Sequence, residues 1–423
     1  MAQLSLIKTA LVGCVVAALY VGAAWGSSEK VIYSFRGGSD GIMPTSNLIA
    51  DAAGNLYGTT SEGGNSSACG VFGGLSCGVV FELSPFGSGW TEKVIYSFTG
   101  GVDGGTPYGG LVMDGTGNLY GTTNIGGASG AGTVFELMPG NDGTWTEAVL
   151  HSFAGGSDGA APRAGLILKG NSLAGTTSLG GTGTGCLFGT PCGTVFGMTH
   201  TSKGWVEKVL YTFQGAGDGG IPYGGLVVDK AGNLYGTTTQ FGAGFGTVFE
   251  LTSAKGTWTE NTIYTFTGSN DGSFPEGTLI LDPAGNLYGT TSAEGGSGLG
   301  TVFQLRKSSG GWSLNTLHSF TFSPDGAVPE AGLVRRGNSV FGTTFNGGTG
   351  SQCGLFGGTP CGTVYELSRT NHGIEYSVVY SFLGTPDAAQ SQGSLWIDPS
   401  GNLFGTGLTG GTLGNGAVFE ITP

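Results

Sequence analysis

Three glutamates, Glu276, Glu294 and Glu330, are the residues of this 423-residue chain whose type and position could support acid–base chemistry. Two carboxyl groups held about 5–10 Å apart can divide glycoside cleavage between a proton donor and a base or nucleophile. Tyr108, Arg163 and Tyr223 stand elsewhere in the chain at positions equivalent to Glu276 and Glu330. Aromatic faces stack on sugar rings, and a guanidinium makes charge-assisted hydrogen bonds. Tyr108, Arg163, Tyr223, Glu276 and Glu330 are therefore the candidate ligand-binding set, with catalysis by the three glutamates as the alternative. Little else competes. The histidines are His151, His200, His318 and His372, and two of them replace a recurring tyrosine. There is no GxSxG, no HExxH and no phosphate loop, so nucleophilic, zinc-hydrolytic and nucleotide chemistry find no support. No cofactor and no metal are expected.

These candidates stand out because their surroundings repeat. A phrase that reads WTEKVIYSF, GGVDGGTPYGG, LVMDGTGNLYGTT and GTVFEL in its clearest copy, from Trp90, returns along the whole chain. The aromatic that ends its first segment recurs as Phe35, Phe98, Phe153, Phe213, Phe266, Phe320 and Phe382. Its tryptophan recurs as Trp90, Trp145, Trp205, Trp258 and Trp312, with Ile374 next in its place. After the recurring proline, or after Ser391, come Thr45, Tyr108, Arg163, Tyr223, Glu276, Glu330 and Gln392. One position with five residue types inside a repeated frame is the sign of a ligand site on a scaffold. The glycine-rich loop before GTVFEL adds Phe241, Phe245, Glu294 and Phe345. Both loops should emerge on one face, with exposed side chains around the mouth of a channel. The recurring aspartates Asp40, Asp103, Asp158, Asp218, Asp271, Asp325 and Asp387 read instead as turn acceptors.

A period of this size signals a repeat architecture or a propeller. Each repeat holds four short β-branched or aromatic runs punctuated by glycine, such as 110–114, 118–123, 132–137 and 145–153, and no helical period is sustained outside the first residues. Tight turns such as Asp51-Ala-Ala-Gly54-Asn55 join the first two runs. Runs that are apolar on both faces, as in Val94-Ile95-Tyr96, need cover on both sides. The expected fold is all-β: a seven-bladed β-propeller of four-stranded blades. A β-solenoid fits less well, because four strands of unequal length per repeat do not suit its coils. The segment Val31–Phe35 elsewhere follows GTVFEL, whereas Ala417–Ile421 has no fourth strand after it. Pairing the two would close the ring with the N-terminal strand and hide both edges.

Composition sets the context. Glycine is 89 of 423 residues, but aromatics at 11% fall in phase with the repeat, which argues for a packed core over disorder. Charged residues are only 10%, and the formal net charge of −13 argues against nucleic acid or anionic lipid as partner. Residues 1–26 read as a secretory signal peptide, with Lys8, an apolar run and small residues at Gly22, Ala24 and Gly26. An uncleaved anchor and a lipidated Cys14 are the alternatives. Residues 27–423 would then form a single propeller domain, a monomer with no membrane span. Six further cysteines form three local pairs, Cys69/Cys77, Cys186/Cys192 and Cys353/Cys361, which read as disulfides of an exported protein. All three pairs lie in the loop before GTVFEL, where they should stiffen the binding face.

Asn118-Leu-Tyr-Gly-Thr-Thr123 and Gly132-Thr-Val-Phe-Glu-Leu137, with the SFxGGxDG element before them, resemble the Gloeo/Verruco (GloVer) tandem repeat of bacterial choice-of-anchor surface proteins. The resemblance covers residues 29–421 and implies an exported or surface protein; it brings no activity or catalytic residue. The expectation is a secreted or cell-surface binding or structural module, non-catalytic, whose partner is an extracellular glycan or a surface protein. The alternative is a secreted glycoside hydrolase or polysaccharide lyase with its site at the channel mouth.

Overall fold

A computed structural model describes residues 27–69, 76–186, 189–242, 244–350, 353 and 360–423. The expected signal peptide lies outside the described residues. Seven four-stranded antiparallel sheets follow one another in a ring, the arrangement of a seven-bladed β-propeller. Blade 2 is representative, with strands Val112–Met113, Leu119–Thr123, Thr133–Pro139 and Trp145–Ser152 from the axis outward. Its second strand is buried at every residue, whereas its outermost strand alternates between half-buried and exposed positions for much of its length. Blade 7 takes its outermost strand, Ser28–Ser34, from the start of the described chain. That strand pairs with Ala417–Thr422 in the register Val31↔Phe419 and Ser34↔Ala417.

The three disulfides are present as paired from the sequence. Cys69–Cys77, Cys186–Cys192 and Cys353–Cys361 have Cα–Cα separations of 5.0, 5.4 and 5.1 Å. Their setting is the interior of the ring of blades. Cys77, Cys192 and Cys361 are fully buried, and their partners Cys69, Cys186 and Cys353 nearly so. The reason is packing between blades. Cys69 and Cys77 share a core cluster with Phe98, Cys186 and Cys192 share one with Phe213, and Cys353 and Cys361 share one with Phe382. The sulfurs therefore belong to the hydrophobic core, and Cys361 in particular has no surface to offer a ligand.

The recurring phenylalanines hold neighbouring blades together. Phe98 meets Phe135 edge to face at 5.1 Å, Phe153 meets Phe196 at 5.1 Å, and Phe266 meets Phe303 at 5.2 Å. Phe35–Phe81 and Phe382–Phe419 make the same contact on the two sides of blade 7, at 5.2 and 5.0 Å. Such pairs contribute about 0.5–1.5 kcal/mol each beyond their buried area. Nearer the axis, the first threonine of GTT donates across the blade boundary. Thr122 Oγ1 reaches the Ala164 carbonyl at 2.9 Å, Thr290 reaches Ala331 at 2.9 Å, and Thr406 closes the ring on Ser46 at 2.8 Å. The loop aspartates are acceptors, as expected. Each takes hydrogen bonds from the Tyr or His seven residues earlier and from a backbone amide, as Asp103 does from Tyr96 and Thr99. His151 and His318 fill the tyrosine role against Asp158 and Asp325.

One feature between blades is electrostatic. Glu29, Glu92, Glu147 and Glu207 on outermost strands face Asp387, Asp40, Asp103 and Asp158 of the preceding blades. Each of these glutamates has a buried Oε1 without a hydrogen-bond partner. Burial first, and the facing aspartate second, push Glu29 up to about 8 and the other three up to about 7.

Two outcomes follow from this packing. Deleting residues 27–36 removes an outer strand together with buried Ile32 and Phe35, each worth roughly 1.5–3 kcal/mol of burial. The melting temperature should fall sharply, and an unchanged one would contradict the closure. The second concerns pH. The raised glutamates favour the folded state when protonated. Their stabilisation is complete below the ordinary value of 4.5 and is lost as pH climbs through 7 to 8. Turn aspartates with lowered values, such as Asp114 and Asp282, act oppositely, and only below their ordinary 3.8. Thermal stability should therefore be higher at pH 5.5 than at pH 8.5. The triple variant Glu92→Gln, Glu147→Gln, Glu207→Gln should flatten that slope in calorimetry. An equal slope in the variant would remove these pairs as its cause.

Candidate functional site

The site begins with a backbone bend made seven times. Two residues before each ring position stands a non-glycine residue in the left-handed region: Met43, Thr106, Ala161, Ile221, Phe274, Val328 and Gln390, all with φ between 52° and 58°. For such residues this conformation costs about 1–3 kcal/mol, so the surroundings must enforce it. Two backbone hydrogen bonds do so. The Thr106 amide donates to Cys77 O of the preceding blade at 2.8 Å, and its carbonyl accepts from Asn124 of its own blade at 3.2 Å. The Gln390 amide donates in the same way to Cys361 O, at 2.9 Å. The bend then delivers the next residues to the innermost strand, with Thr45, Tyr108, Arg163, Tyr223, Glu276, Glu330 and Gln392 at one level around the axis.

These seven side chains lean on one another. The Arg163 guanidinium lies between two tyrosine rings, 4.8 Å from the centroid of Tyr108 and 4.3 Å from that of Tyr223. Thr45 Oγ1 donates to the Tyr108 carbonyl at 3.4 Å. Across the ring, the Gln392 amide donates to Glu330 Oε2 at 2.8 Å. Glu276 makes no hydrogen bond or ion pair among the described residues. Burial first, then the nearby Glu330, raise its carboxyl to about 7, against the pull of Arg163. Glu330 is also raised by burial, and is restrained by the Gln392 hydrogen bond and by Arg163. The ring thus has a cationic, aromatic arc and a carboxyl arc within electrostatic reach of each other.

Below the ring the blades crowd together. Two residues on stand Asn47, Gly110, Gly165, Gly225, Thr278, Gly332 and Ser394. A Cβ on Gly110 would sit 1.8 Å from Asn47 Oδ1, and one on Gly165 would sit 2.8 Å from the Gly110 carbonyl. Small residues are required there by close approach. Beyond this collar lies a cavity of about 320 Å³, walled by all seven blades with Ile49, Val112, Ile280, Val334 and Trp396. Its lining is largely apolar and does not include the ring residues. Sequence reasoning passed over this collar; its signal was Asn47, Thr278 and Ser394 standing where most repeats carry glycine.

Three expectations about the site need correction. The ring side chains are half-buried, not exposed, because neighbouring members cover one another. Phe241 and Phe245 are not rim aromatics. Phe241 packs against the Cys186–Cys192 region and Phe245 against the cluster containing Tyr235 and Phe266. Phe245 lies over Gly268, whose counterpart Gly100 faces the Cys69–Cys77 sulfurs, so its ring fills the place a disulfide takes in blade 1. Glu294 is exposed in its loop and is not among the groups that shift Glu276 or Glu330. The structure joins Tyr108, Arg163, Tyr223, Glu276 and Glu330 in one ring and leaves Glu294 outside it. The two loops of each blade do share a face, bridged by pairs such as Gly105↔Ile125 and Ser273↔Ala293.

Among solved structures, the chain is similar to a protein provisionally named a 6-phosphogluconolactonase from Bacteroides uniformis, at 13% identity and a TM-score of 0.49, covering 77% of this chain and 84% of that one. It is similar to the extracellular domain of a proposed hybrid two-component system from B. thetaiotaomicron, at 11% identity and a TM-score of 0.50, over 93% of this chain and 41% of that one. A third likeness is to a carbohydrate-active enzyme of family AA12 from Trichoderma reesei, at 12% identity and a TM-score of 0.42, over 94% and 96% of the two chains. Identities this low speak to the fold alone. No curated protein matches the sequence. A family model described as the Gloeobacter/Verrucomicrobia repeat matches residues 18–188 and 189–360, in tandem. These segments contain most of the strands, bends and ring residues, and the chain belongs to the Gloeobacter/Verrucomicrobia repeat family.

Proposed function

We propose that the protein is a secreted or cell-surface propeller that binds a polyhydroxylated glycan, free or carried on a surface protein, at its polar ring, without catalysis. The observation that carries this reading is the ring itself: one position, seven residues, five residue types, all half-buried at the axis. The phenylalanine that ends each outermost strand, by contrast, is the same residue in all seven repeats. Glu276 supports the reading further, since its half-buried carboxyl has no hydrogen-bond partner among the described residues and is open to one from a ligand. Three disulfides and the family support an exported location. No helix among the described residues is long and apolar enough to cross a membrane.

A second reading, a glycoside hydrolase or polysaccharide lyase, is favoured by one observation. A carboxyl raised to about 7, as in Glu276, beside Glu330 could carry a proton at neutral pH. Against it, Gln392 and Arg163 both hold Glu330, and Glu294 is not with the pair. A glycan array run beside a reducing-sugar assay on the same polysaccharides separates the two readings. In the second, Glu276→Gln abolishes turnover and spares binding.

Arg163 occupies one face of each tyrosine, so a sugar would stack on the opposite faces. Tyr108→Ala or Tyr223→Ala should weaken binding by about 1 kcal/mol. Full affinity in a chain with all five ring candidates replaced would place the site elsewhere. The electrostatics are tested without any ligand. Arg163→Met removes the cation that lowers Glu276, so the Glu276 titration followed by carboxyl NMR should move above its value of about 7. A downward shift would mean that the two groups do not interact as described.

A further inference from the structure

The outer ends of the blades meet through a tyrosine and a tryptophan at three boundaries, and at one other boundary the tyrosine stays while its partners are lost. Trp145 of blade 2 covers Tyr57 of blade 1 at 6.1 Å, Trp205 covers Tyr120 at 5.8 Å, and Trp312 covers Tyr235 at 6.1 Å. Each covered tyrosine donates to a glutamate on the adjacent strand, as Tyr120 does to Glu136 at 2.8 Å and Tyr235 to Glu250 at 2.6 Å. Between blades 5 and 6 both partners change. Ile374 replaces the tryptophan, and Gln304 replaces the glutamate. A cavity of about 430 Å³ opens there, floored by Tyr288 and walled by Leu317, Val340, Leu367 and Ile374.

Three of the six arginines in a chain of net charge −13 line this cavity: Arg306, Arg335 and Arg369. Arg335 stands where the other innermost strands carry Ala50, Met113, Leu168, Val228, Leu281 and Ile397. Lys307 shows what the Arg369 position does when its surroundings are intact. It lies over Trp312 at 5.2 Å and pairs with Glu250 of the preceding blade at 3.4 Å. Arg369 has lost both supports, to Ile374 and Gln304, and neither its side chain nor that of Arg335 makes an ion pair or hydrogen bond among the described residues. Arg306 Nε donates to Gln304 Oε1 at 2.8 Å, and the Gln304 amide donates to Tyr288 Oη at 2.6 Å. Asp282 is the one carboxylate in the lining, and it is occupied by Asn286 and Tyr288.

We infer that this cavity is a second ligand site, distinct from the ring, for a monocyclic acid whose ring takes the space of the missing tryptophan and whose oxyanion takes the place of the missing glutamate. Guanidinium forks suit carboxylate and other oxyanions, and the volume suits one small ring. A sugar acid and an aromatic acid share this chemistry, so both are probed. Calorimetric titration of the full chain at fixed ionic strength would use glucuronate, benzoate and neutral glucose. At least one acid should bind, and at least about tenfold more tightly than glucose. The acid that binds names the source.

Arg369→Met should lose at least about tenfold in affinity, whereas the surface control Lys203→Met should lose nothing. Ile374→Trp restores the residue of the other repeats and keeps every arginine, and it should abolish binding by filling the cavity. Binding of neither acid overturns the inference. So does glucose matching the acids, or wild-type affinity in Arg369→Met. Arg369 is exposed, so its substitution tests the site even if Ile374→Trp does not fold.

Discussion

The edge-to-face contact between the recurring phenylalanines is the interaction on which the rest depends. Each phenylalanine that ends an outermost strand is fully buried and meets a phenylalanine or tyrosine in the third strand of the next blade. The pair fixes the distance and tilt between blades. Once those are fixed, the innermost strands converge, and convergence explains what happens at the axis. The threonine hydroxyls come within reach of the next blade's carbonyls. The collar shrinks to glycine, serine, threonine and asparagine. The ring position just outside the collar has enough room for a side chain, and too little for seven independent ones. Arg163 therefore stacks between Tyr108 and Tyr223, and Gln392 holds Glu330.

Burial of charge follows from the same geometry. Outermost strands carry glutamates that meet the loop aspartates of the neighbouring blade, in a chain with few cations to neutralise them. Their raised values are the consequence of desolvation and like charge, so this propeller trades stability at high pH for its tight blade interfaces. At blades 5 and 6 the glutamate position is taken by Leu314 and Tyr376. There Tyr376 donates to the Asp325 carbonyl at 2.6 Å and stacks on His318 at 3.7 Å. The same two blades form the arginine-lined cavity. At that interface a tryptophan, a glutamate and an apolar innermost residue give way together, to Ile374, Gln304 and Arg335.

Much was legible in the sequence because a repeat states its own equivalences. The spacing of Phe35 to Phe382 gave seven units. Four apolar runs per unit gave four strands, since short β-branched segments between glycines have few other uses. The phase of Val31–Phe35 against Ala417–Ile421 gave the closure, which the Val31↔Phe419 register realises. The cysteines lay close enough in their loops for local pairing to be the simple geometry. The ring position was legible too, as the place where neighbours repeat and the residue does not. All of this is local pattern, and local pattern survives any arrangement of the units.

Contact between side chains of different blades was not legible, because equivalence in a repeat says nothing about distance. Tyr108, Arg163 and Tyr223 were visible as separate candidates; that one guanidinium joins them depends on the crowding at the axis. Glu294 looked equal to Glu276 and Glu330 by type, yet its loop lies over the blade and the ring residues lie at the axis. Phe241 and Phe245 looked like rim aromatics until the gap between blades drew them in. The same gap buries the Cys353–Cys361 bond against Phe382. Ile374 was visible as a missing tryptophan. That Arg335, Arg369 and Gln304, from two blades, meet in the space it leaves was decided only by the packing of blade against blade.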